Sequence, residues 1–387
     1  MRVANQEKSG WTLRRFLNAL KVSPRWVRQK VVLAGNTLKY FLRFIAGNIE
    51  GIAGAPASAK WGLMVRHSRL PISIELSPLP NSEDIWLDSV RAYEAAGVWP
   101  ISFSYPRPSS ALSSSSSSST ICPVFPGHRY AFTNEADYIS NYGNFSFALT
   151  HKKGGWDCFR HLEIMYAGAV PFMPDASLIP EFTMVHYPKT FLAEVAEGLR
   201  HSRVVIKPQA SQELAVHFND NLTSAAMARY VLRAAEVGKD AKVLFIDAAA
   251  VSMPDYQSVF TLIGLKQILG KRVTVAFPID YVYEDWAGDA APLYGRGFGY
   301  SRVLETNLKN RNEISGQVLD LSAAPLGAFD AVVLGSVTRN ANLAEELLTR
   351  FPTAKTIWIH GEDKGPSASD IATFRAKGVT AFVREMG

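Results

Sequence analysis

The sequence predicts an α/β protein of two Rossmann-like halves preceded by a basic helical arm. Short apolar segments alternate with segments of helical length over 242–387, and a weaker form of the same alternation covers 130–188. The chain has 387 residues, which is enough for two domains of ordinary size. Its 47% apolar and 20% charged residues are typical of a folded protein.

The second half, assigned to 240–387, has strand and helix candidates at the spacing of a parallel sheet that helices cover on both faces. The apolar strand candidates lie at 243–246, 272–276, 331–334, 356–359 and 379–383. The helix candidates between them lie at 256–269, 343–351 and 369–377. This succession predicts one Rossmann-like domain.

The first half, assigned to 60–238, is predicted to form another α/β domain. Its strand candidates lie at 99–105, 145–150, 169–173 and 203–206, and its helix candidates at 158–167, 191–199 and 223–236. The small-residue segment 51–59 predicts a linker before this domain. The serine-rich segment 106–120 contains seven consecutive serines and predicts a loop within it.

The N-terminal arm, 1–50, holds most of the positive charge. The whole chain carries +6, but the arm has ten Lys and Arg residues against Glu7 and Glu50, a net +8. The other 337 residues therefore carry −2. Apolar residues recur every three or four positions between the basic ones, and this pattern predicts amphipathic helices.

Such an arm suits an anionic membrane surface, which attracts basic residues and accepts aromatic ones. Packing on the protein's own globule is the equally favoured alternative, and nucleic acid is the least favoured partner. No apolar run reaches the roughly 18 residues of a spanning helix, and the start lacks the pattern of a signal peptide. We therefore expect a cytoplasmic protein, peripheral to the inner face of a membrane where the arm binds one.

Metal and redox chemistry have little support in the sequence. Cys122 and Cys158 are too few for a disulfide framework or a four-thiolate zinc site, so we expect a reducing compartment. No Asp-x-Asp pair, Walker loop or Gly-x-Ser-x-Gly elbow is present. His161 is expected on a helix surface. We expect no metal and no cofactor.

The segment that most clearly indicates a binding site, in this case for an anion, follows the strand candidate 145–150. Lys152 and Lys153 precede a Gly154–Gly155 turn and a helix start, where free backbone N–H groups and the helix dipole attract an anion. Arg160 would add a guanidinium for a diphosphate. The alternative is a tight turn with solvated lysines.

The run 144–175 resembles the donor-site segment of exostosin-like glycosyltransferases of the GT-B type. In that family a strand leads to a small-residue turn, an Arg-x-x-Glu helix and a Gly-x-Ile/Val-Pro motif, matched here by Arg160, Glu163 and Gly168. The resemblance implies a nucleotide-sugar site in which Arg160 faces phosphate and Glu163 faces ribose or sugar. The residues expected to bind the donor are Lys152, Lys153, Gly154, Gly155, Trp156, Asp157, Arg160, Glu163 and Gly168.

The second half resembles the partner Rossmann domain of bacterial and viral glycosyltransferase-like proteins. In those proteins this domain precedes the donor segment, whereas here it follows that segment. The motifs that carry the resemblance lie at 255–258, 264–265, 269–270, 293–298, 360–363 and 382–385.

Sugar transfer needs cations near the departing diphosphate and, in an inverting enzyme, a base near the acceptor hydroxyl. Ligands of open α/β sheets gather at the carboxyl ends of the strands, so carboxylates beyond those ends are the candidate bases. For each of them a helix cap or a loop carboxylate is the alternative. The candidates are Asp247, Asp255, Glu362 and Asp363.

One further loop places Arg296 between two glycines, shortly after Tyr294. It is expected to contact the acceptor or a phosphate, with an ordinary surface turn as the alternative. Together these features predict a metal-independent, GT-B-like glycosyltransferase of polysaccharide biosynthesis. It would move a hexosyl or related sugar from a nucleotide-sugar donor to a glycan or lipid-linked acceptor. The alternative is a non-catalytic glycosyltransferase-like scaffold or glycan-binding protein, held at a membrane by its arm.

Overall fold

The computed structural model describes residues 98–110, 121–122, 132–200, 206 and 208–386, which all belong to one compact unit. Several predictions fall on other residues. The basic arm at 1–50, the linker at 51–59, the serine run at 113–119 and most of the predicted strand 203–206 lie outside the described residues.

Nine strands and nine α-helices are present in the described part of the chain. The strands are β1 (Val98–Pro100), β2 (Ile121–Cys122), β3 (Phe147–Leu149), β4 (Val170–Phe172), β5 (Val243–Ile246), β6 (Val273–Val275), β7 (Ala331–Leu334), β8 (Lys355–His360) and β9 (Thr380–Val383). The helices are α1 (Glu135–Gly143), α2 (Phe159–Tyr166), α3 (Lys189–Arg200), α4 (Pro208–His217), α5 (Ser224–Ala234), α6 (Tyr256–Leu269), α7 (Arg311–Ser315), α8 (Ala341–Arg350) and α9 (Ala368–Ala376).

Six strands form one sheet in the order β6-β5-β7-β8-β9-β1, and every neighbouring pair is parallel. All residues of β5 and β7 are buried, as expected of strands covered on both faces. The chain passes from β5 to β6 and then returns to the other side of β5 as β7. Such a reversal opens a crevice at the carboxyl ends of the strands. The predicted α/β class with a parallel, Rossmann-like sheet is confirmed.

The edge strand β1 belongs to the first half of the sequence but completes the sheet of the second half. It pairs with β9, with Val98 opposite Ala381. The predicted strand 99–105 is correct only for its first residues. The N–H of Ile101 still donates to the carbonyl of Val383 in β9. Beyond Ile101 the backbone leaves this sheet, because the N–H of Phe103 donates to the side chain of Asp157 and the N–H of Tyr105 to the carbonyl of Leu222.

A smaller sheet contains β2, β3 and β4 in that order, again with parallel pairs. Its strands β3 and β4 correspond to the segments predicted at 145–150 and 169–173. Helices α1 and α4 were not predicted, because their sequences contain few apolar residues at helical spacing. Helix α1 is started by Asn134, whose side chain accepts a hydrogen bond from the N–H of Asp137.

Helix α6 has the bounds predicted for it and is buried on all sides from Gln257 to Lys266. It approaches α5 closely at Gly264, where a Cβ atom would lie 2.0 Å from the carbonyl oxygen of Ser224. The one charged residue in its buried stretch, Lys266, is paired with the buried carboxylate of Glu313 at 2.6 Å. With 14 residues α6 is the longest helix described, and no described helix has the length and apolarity needed to cross a bilayer.

Candidate functional site

The carboxyl ends of the parallel strands form the floor of the candidate site. The residues next after four of these ends are Asp247 after β5, Gly335 after β7, Gly361 after β8 and Arg384 after β9. The N-terminus of α6 lies against two of them. A Cβ atom at Gly335 would lie 2.3 Å from Ser258 Oγ, and one at Gly361 would lie 2.6 Å from the Cβ of Gln257. Because neither glycine carries a side chain, the start of α6 packs directly against the ends of β7 and β8.

The loop 152–157, which joins the small sheet to α2, lies on the ends of β8 and β9. A Cβ atom at Gly154 would lie 1.9 Å from Oδ2 of Asp363, and one at Gly155 would lie 2.3 Å from Oε1 of Glu385. No larger residue fits at either position unless a carboxylate moves. The two glycines that predict a phosphate turn thus allow the loop to approach two carboxylates.

Arg384 connects this loop to both strand ends. Its side chain is fully enclosed, with 1% exposure. Its guanidinium donates hydrogen bonds of 2.6 to 3.0 Å to the carbonyl oxygens of Gly361 and Asp157 and to the carboxylates of Asp363 and Glu385. Because four of its five N–H donors are committed, Arg384 holds the site together and has little left for a ligand.

The carboxylate of Glu385 occupies backbone N–H groups that would attract an anion. It accepts hydrogen bonds from the N–H of Trp156 at 3.0 Å and of Asp157 at 2.9 Å. Burial raises the pKa of Glu385, while Arg384 and these two N–H groups oppose the rise. The anion bound by these N–H groups in the structure is therefore a side chain of the protein itself.

Asp157 fixes the loop from its other side. Its Oδ2 accepts a hydrogen bond from the N–H of Phe103 at 2.6 Å, and its Oδ1 accepts one from the hydroxyl of Tyr187 at 2.8 Å. Burial raises the pKa of Asp157, although the nearby Arg384 opposes the rise. With both oxygens engaged and 1% exposure, Asp157 positions the loop.

His161 also positions the loop, and the prediction that it lies on a helix surface is wrong, since it is 1% exposed. Its Nε2 donates to the carbonyl of Trp156 at 2.9 Å, so its Nδ1 accepts from the hydroxyl of Thr150, also at 2.9 Å. Burial lowers the pKa of His161 to about 3. The ring is therefore neutral and connects the end of β3 to the loop.

Arg160 and Glu163 lie one turn apart on α2 and meet two tyrosines of α1. The buried carboxylate of Glu163 accepts a hydrogen bond from the hydroxyl of Tyr138 at 2.8 Å, and Tyr138 lies 3.2 Å from the hydroxyl of Tyr142. Burial raises the pKa of Glu163 to about 7, although Arg160 opposes the rise. Burial alone would lower the pKa of Arg160, but the two tyrosines and Glu163 raise it. Its Nη1 is buried and has no hydrogen-bond partner among the described residues.

The two lysines of the loop differ in their surroundings. The ammonium of Lys152 lies 4.7 Å from the centre of the Trp156 ring. Much of Lys153 is exposed, yet the protein around its ammonium and the charge of Arg160 lower its pKa. In the described part of the chain neither lysine forms an ion pair. The loop therefore carries two lysines without a carboxylate in ion-pair contact among the described residues, although Glu163 and Asp363 act on Lys153 from farther away.

Gly168 has a local structural explanation. Its φ of 87° lies in the left-handed region, and its N–H donates to the carbonyl of Met165 at 3.0 Å where α2 ends. Glycine is the residue that most readily ends a helix in this way.

Asp247 has the structural surroundings that the sequence offered as the alternative to catalysis. It is fully buried, and Ser258 donates its hydroxyl to Oδ2 at 2.6 Å. Its Oδ1 accepts from the N–H groups of Ala249 and Ala250 and from the amide of Asn340, at 2.8 to 3.1 Å. These bonds join the ends of β5 and β7 to the start of α6.

Asp255 is the N-cap of α6, and only one of its oxygens is engaged there. Oδ1 accepts a hydrogen bond from the N–H of Ser258 at 2.9 Å, whereas Oδ2 accepts none from the residues that the structure describes. Burial raises the pKa of Asp255 to about 6. Its Oδ1 would lie 3.4 Å from a Cβ atom at Gly361, which places Asp255 beside the end of β8.

Glu362 and Asp363 continue the chain beyond β8. Glu362 accepts a hydrogen bond from the hydroxyl of Thr338. The side chain of Asp363 is 62% exposed, with Oδ1 held by Arg384 and Oδ2 next to Gly154. Of the four candidate bases, Asp363 is the one in contact with the glycine loop.

The loop of Tyr294 and Arg296 lies over the start of α6. Tyr294 is 64% exposed, and its ring centre lies 5.0 Å from that of Tyr256. The pKa of Tyr294 is raised by the protein around its hydroxyl and by the nearby carboxylate of Asp363. The side chain of Arg296 is half-buried.

The structure thus brings the loop 152–157, Asp255, Asp363 and Tyr294 to one edge of the sheet, while Asp247 and Glu163 face inward. The sequence did not reveal the positioning role of Arg384 and Glu385, which it offered only within the motif 382–385. The signal was an Arg–Glu pair directly after a buried apolar strand, where charged residues need partners.

No protein-family model, no curated protein and no solved structure matches this chain. Across the described residues, no group of three or more His, Cys, Asp or Glu side chains is arranged to hold a metal ion.

Proposed function

We propose that the protein is a glycosyltransferase that uses a nucleotide-sugar donor, with a GT-B-like division into two halves. The observation that carries the proposal is the contact between the loop 152–157 and Asp363 at the carboxyl edge of a parallel sheet. Cations and carboxylates that are distant in sequence meet there, at the edge where ligands of such sheets bind.

The cationic side of the crevice suits a diphosphate. Lys152, Lys153 and Arg160 have no carboxylate in ion-pair contact among the described residues, and the Nη1 of Arg160 lacks a hydrogen-bond partner. A buried guanidinium N–H without an acceptor is costly, so a phosphate oxygen there would be bound favourably. In the reaction, the same cations would stabilise the negative charge that develops on the departing diphosphate.

The carboxylate side suits proton transfer from an acceptor hydroxyl. Asp255 has a free oxygen and a pKa of about 6, close to the neutral pH at which a general base works best. Asp363 is 62% exposed and lies next to Gly154 of the loop. We assign the base role to Asp255 and assistance in orienting the acceptor to Asp363. The acceptor is a glycan or a lipid-linked glycan, and the arm at 1–50 would bring the enzyme to an anionic membrane surface.

Calorimetry on the full chain with UDP-glucose, GDP-mannose and CMP-sialic acid tests the proposal. Replacing both Lys153 and Arg160 with alanine should weaken binding of the recognised donor at least tenfold, because each removes a charge-assisted hydrogen bond of about 1.5–3 kcal/mol. Lys355→Ala is the matched control, since Lys355 is an exposed lysine that begins β8 at the opposite edge. Absence of binding by all three donors, or equal binding by the double variant, contradicts the assignment.

A catalytic assay complements the binding assay. Asp255→Asn should abolish release of the nucleotide (UDP, GDP or CMP) from a recognised donor in the presence of acceptor, while donor affinity stays unchanged. Unchanged turnover in Asp255→Asn would remove Asp255 from the base role.

One observation favours a second function, a non-catalytic scaffold or glycan-binding protein. The N–H groups of Trp156 and Asp157 are already occupied by Glu385, so they are not free to stabilise a departing phosphate. This function predicts glycan binding without hydrolysis or transfer from any nucleotide sugar. Flotation with anionic liposomes, comparing the full chain with a chain lacking residues 1–50, separately tests the membrane role of the arm.

A further inference from the structure

The aromatic ring of Tyr294 is exposed but firmly supported. It is 64% exposed, and beneath it the ring of Tyr256 lies 5.0 Å away. Tyr256 is itself enclosed by other aromatic rings at 4.8 to 5.9 Å, which belong to Phe103, Phe159, Phe260 and Tyr300. One face of an aromatic cluster that runs through the core is therefore presented to solvent at this point.

The backbone that presents this ring is strained. Gly295 and Arg296 both have φ of 59°, and the left-handed conformation is unfavourable for arginine. The carbonyl of Tyr294 accepts a hydrogen bond from the hydroxyl of Tyr300 at 2.7 Å, and a Cβ atom at Gly299 would lie 2.5 Å from Cζ of Phe159. The loop is thus held against α2 and α6 in a conformation that keeps the Tyr294 ring outward.

Two carboxylates lie near the Tyr294 ring. Asp255 directly precedes Tyr256, the residue beneath that ring, and its Oδ1 would lie 3.4 Å from a Cβ atom at Gly361, two residues before Asp363. The carboxylates of Asp363 and Asp255 both act on the hydroxyl of Tyr294, and Asp363 also acts on the ammonium of Lys153. A carboxylate repels a diphosphate, whereas a neutral group rich in hydroxyls can donate hydrogen bonds to it.

We propose that Tyr294 is a platform on which a pyranose ring stacks, with the ring's hydroxyl groups directed toward Asp363. The apolar C–H face of a pyranose matches the exposed tyrosine ring, and carboxylates are strong acceptors for its hydroxyls. A nucleobase would also stack on tyrosine, but it would place its attached phosphates nearer to the carboxylates. The inference deepens the proposed function and rests on it, because the pyranose is either the transferred sugar or part of the acceptor.

Binding measurements on the full chain separate these two sources. Methyl glucopyranoside, methyl mannopyranoside and N-acetylglucosamine, tested by saturation-transfer NMR and titration, report an acceptor ring. The affinity for UDP-glucose relative to UDP, or for GDP-mannose relative to GDP, reports the donor sugar. We expect Tyr294→Ala to weaken one of these two readouts about tenfold and Tyr294→Phe to retain most of the affinity. Ile314→Ala, which alters a residue with 70% exposure on α7, should change neither.

The outcomes also distinguish this inference from the proposed function. Pyranose binding that depends on Tyr294, without any nucleotide binding, supports the platform and contradicts the glycosyltransferase proposal. Nucleotide binding that depends on Lys153 and Arg160, with sugar readouts unchanged in Tyr294→Ala, supports the glycosyltransferase and overturns the platform. Absence of saturable sugar binding by the wild-type chain overturns it as well. Matching thermal unfolding of Tyr294→Ala and wild type ensures that lost binding is not lost folding.

Discussion

Two glycine-containing loops, 152–157 and 293–300, lie at the carboxyl edge of the large sheet. They differ in how many of their groups are in contact with other parts of the protein. In the loop 152–157, the N–H groups of Trp156 and Asp157 donate to Glu385, and the carbonyl oxygen of Asp157 accepts from Arg384. In the loop 293–300, the backbone is equally constrained, but the ring of Tyr294 is left in solvent. Backbone groups that are satisfied internally are structural, and an exposed side chain that the protein holds in place is a candidate for binding.

This difference changes the meaning of the Gly154–Gly155 pair. The sequence suggests that the glycines make room for a phosphate, whereas in the structure they make room for Asp363 and Glu385. The cations beside them remain available, so an anion would be bound by side chains rather than by the N–H groups of Trp156 and Asp157.

The largest change in the free energy of unfolding is expected for Arg384→Met, which tests whether the loop 152–157 is held by its internal partners. The substitution keeps an unbranched side chain but leaves the buried carboxylates of Asp157 and Glu385 without their cation. We expect the free energy of unfolding in urea to fall by about 3–5 kcal/mol. Lys355→Met, which removes an exposed ion pair with Glu236, should cost at most about 1 kcal/mol. A loss as small for Arg384→Met as for the control would mean that the loop is not held by this cation.

The helix that follows the first loop should make stability depend on pH. Glu163 has a pKa of about 7 when folded against 4.5 as its ordinary value, so the folded state binds the proton more tightly. Its contribution is therefore fully present below about pH 4.5, and the free energy of unfolding falls by up to about 3 kcal/mol as the pH rises toward 7. Tyr138, Arg160, Lys153 and Glu135 are the titratable groups that act on it.

Glu163→Gln isolates this contribution, because Asp255 and Glu385 titrate in both proteins. The free energies of unfolding of wild type and Glu163→Gln should be measured in urea at several pH values. Relative to Glu163→Gln, the wild type should lose stability as the pH rises from 4.5 to 7. A difference that stays constant over this range would show that burial does not favour the protonated carboxyl.

Most of the fold was predictable from local patterns, whereas the contacts between distant segments were not. Helix α6 and strands β5 and β7 have the predicted bounds, because continuous apolar segments between turns define buried elements. The pairing of β1 with β9 joins the two ends of the described chain, and no local signal reveals it. The partner of a three-residue strand is decided by tertiary packing.

The candidate site shows the same limit. The sequence placed carboxylates beyond the ends of β5 and β8, and they lie there, since parallel strands bring the residues after their carboxyl ends to one edge of the sheet. It could not show that Asp247 is fully enclosed whereas Asp363 is exposed, because burial depends on which helix covers each strand end. The role of Glu385 was hidden for another reason: its partners, Trp156 and Asp157, lie more than two hundred residues earlier.

The two glycines of the first loop should tolerate alanine unequally. Neither has a positive φ, so the cost comes from the added methyl group. In Gly155→Ala the methyl group displaces the buried carboxylate of Glu385 from its N–H partners, and we expect a loss of about 1–3 kcal/mol in urea unfolding. In Gly154→Ala the obstacle is the exposed Asp363, which can turn toward solvent at the cost of its ion pair with Arg384, so we expect the smaller loss of about 1 kcal/mol. Equal losses would show that both carboxylates are equally fixed.

The smallest effect on stability is expected for Tyr294→Ala in the loop 293–300, because a ring that serves to bind a ligand contributes little to folding. Tyr294→Ala should change the free energy of unfolding by less than about 0.5 kcal/mol, because an exposed ring gains little from folding. Tyr256→Ala, which removes the ring beneath it, should cost about 3 kcal/mol, because four further aromatic rings pack around that position. Both values come from the same urea titrations. A large loss in Tyr294→Ala would mean that the ring is a structural part of its loop, and the contrast between the two loops would disappear.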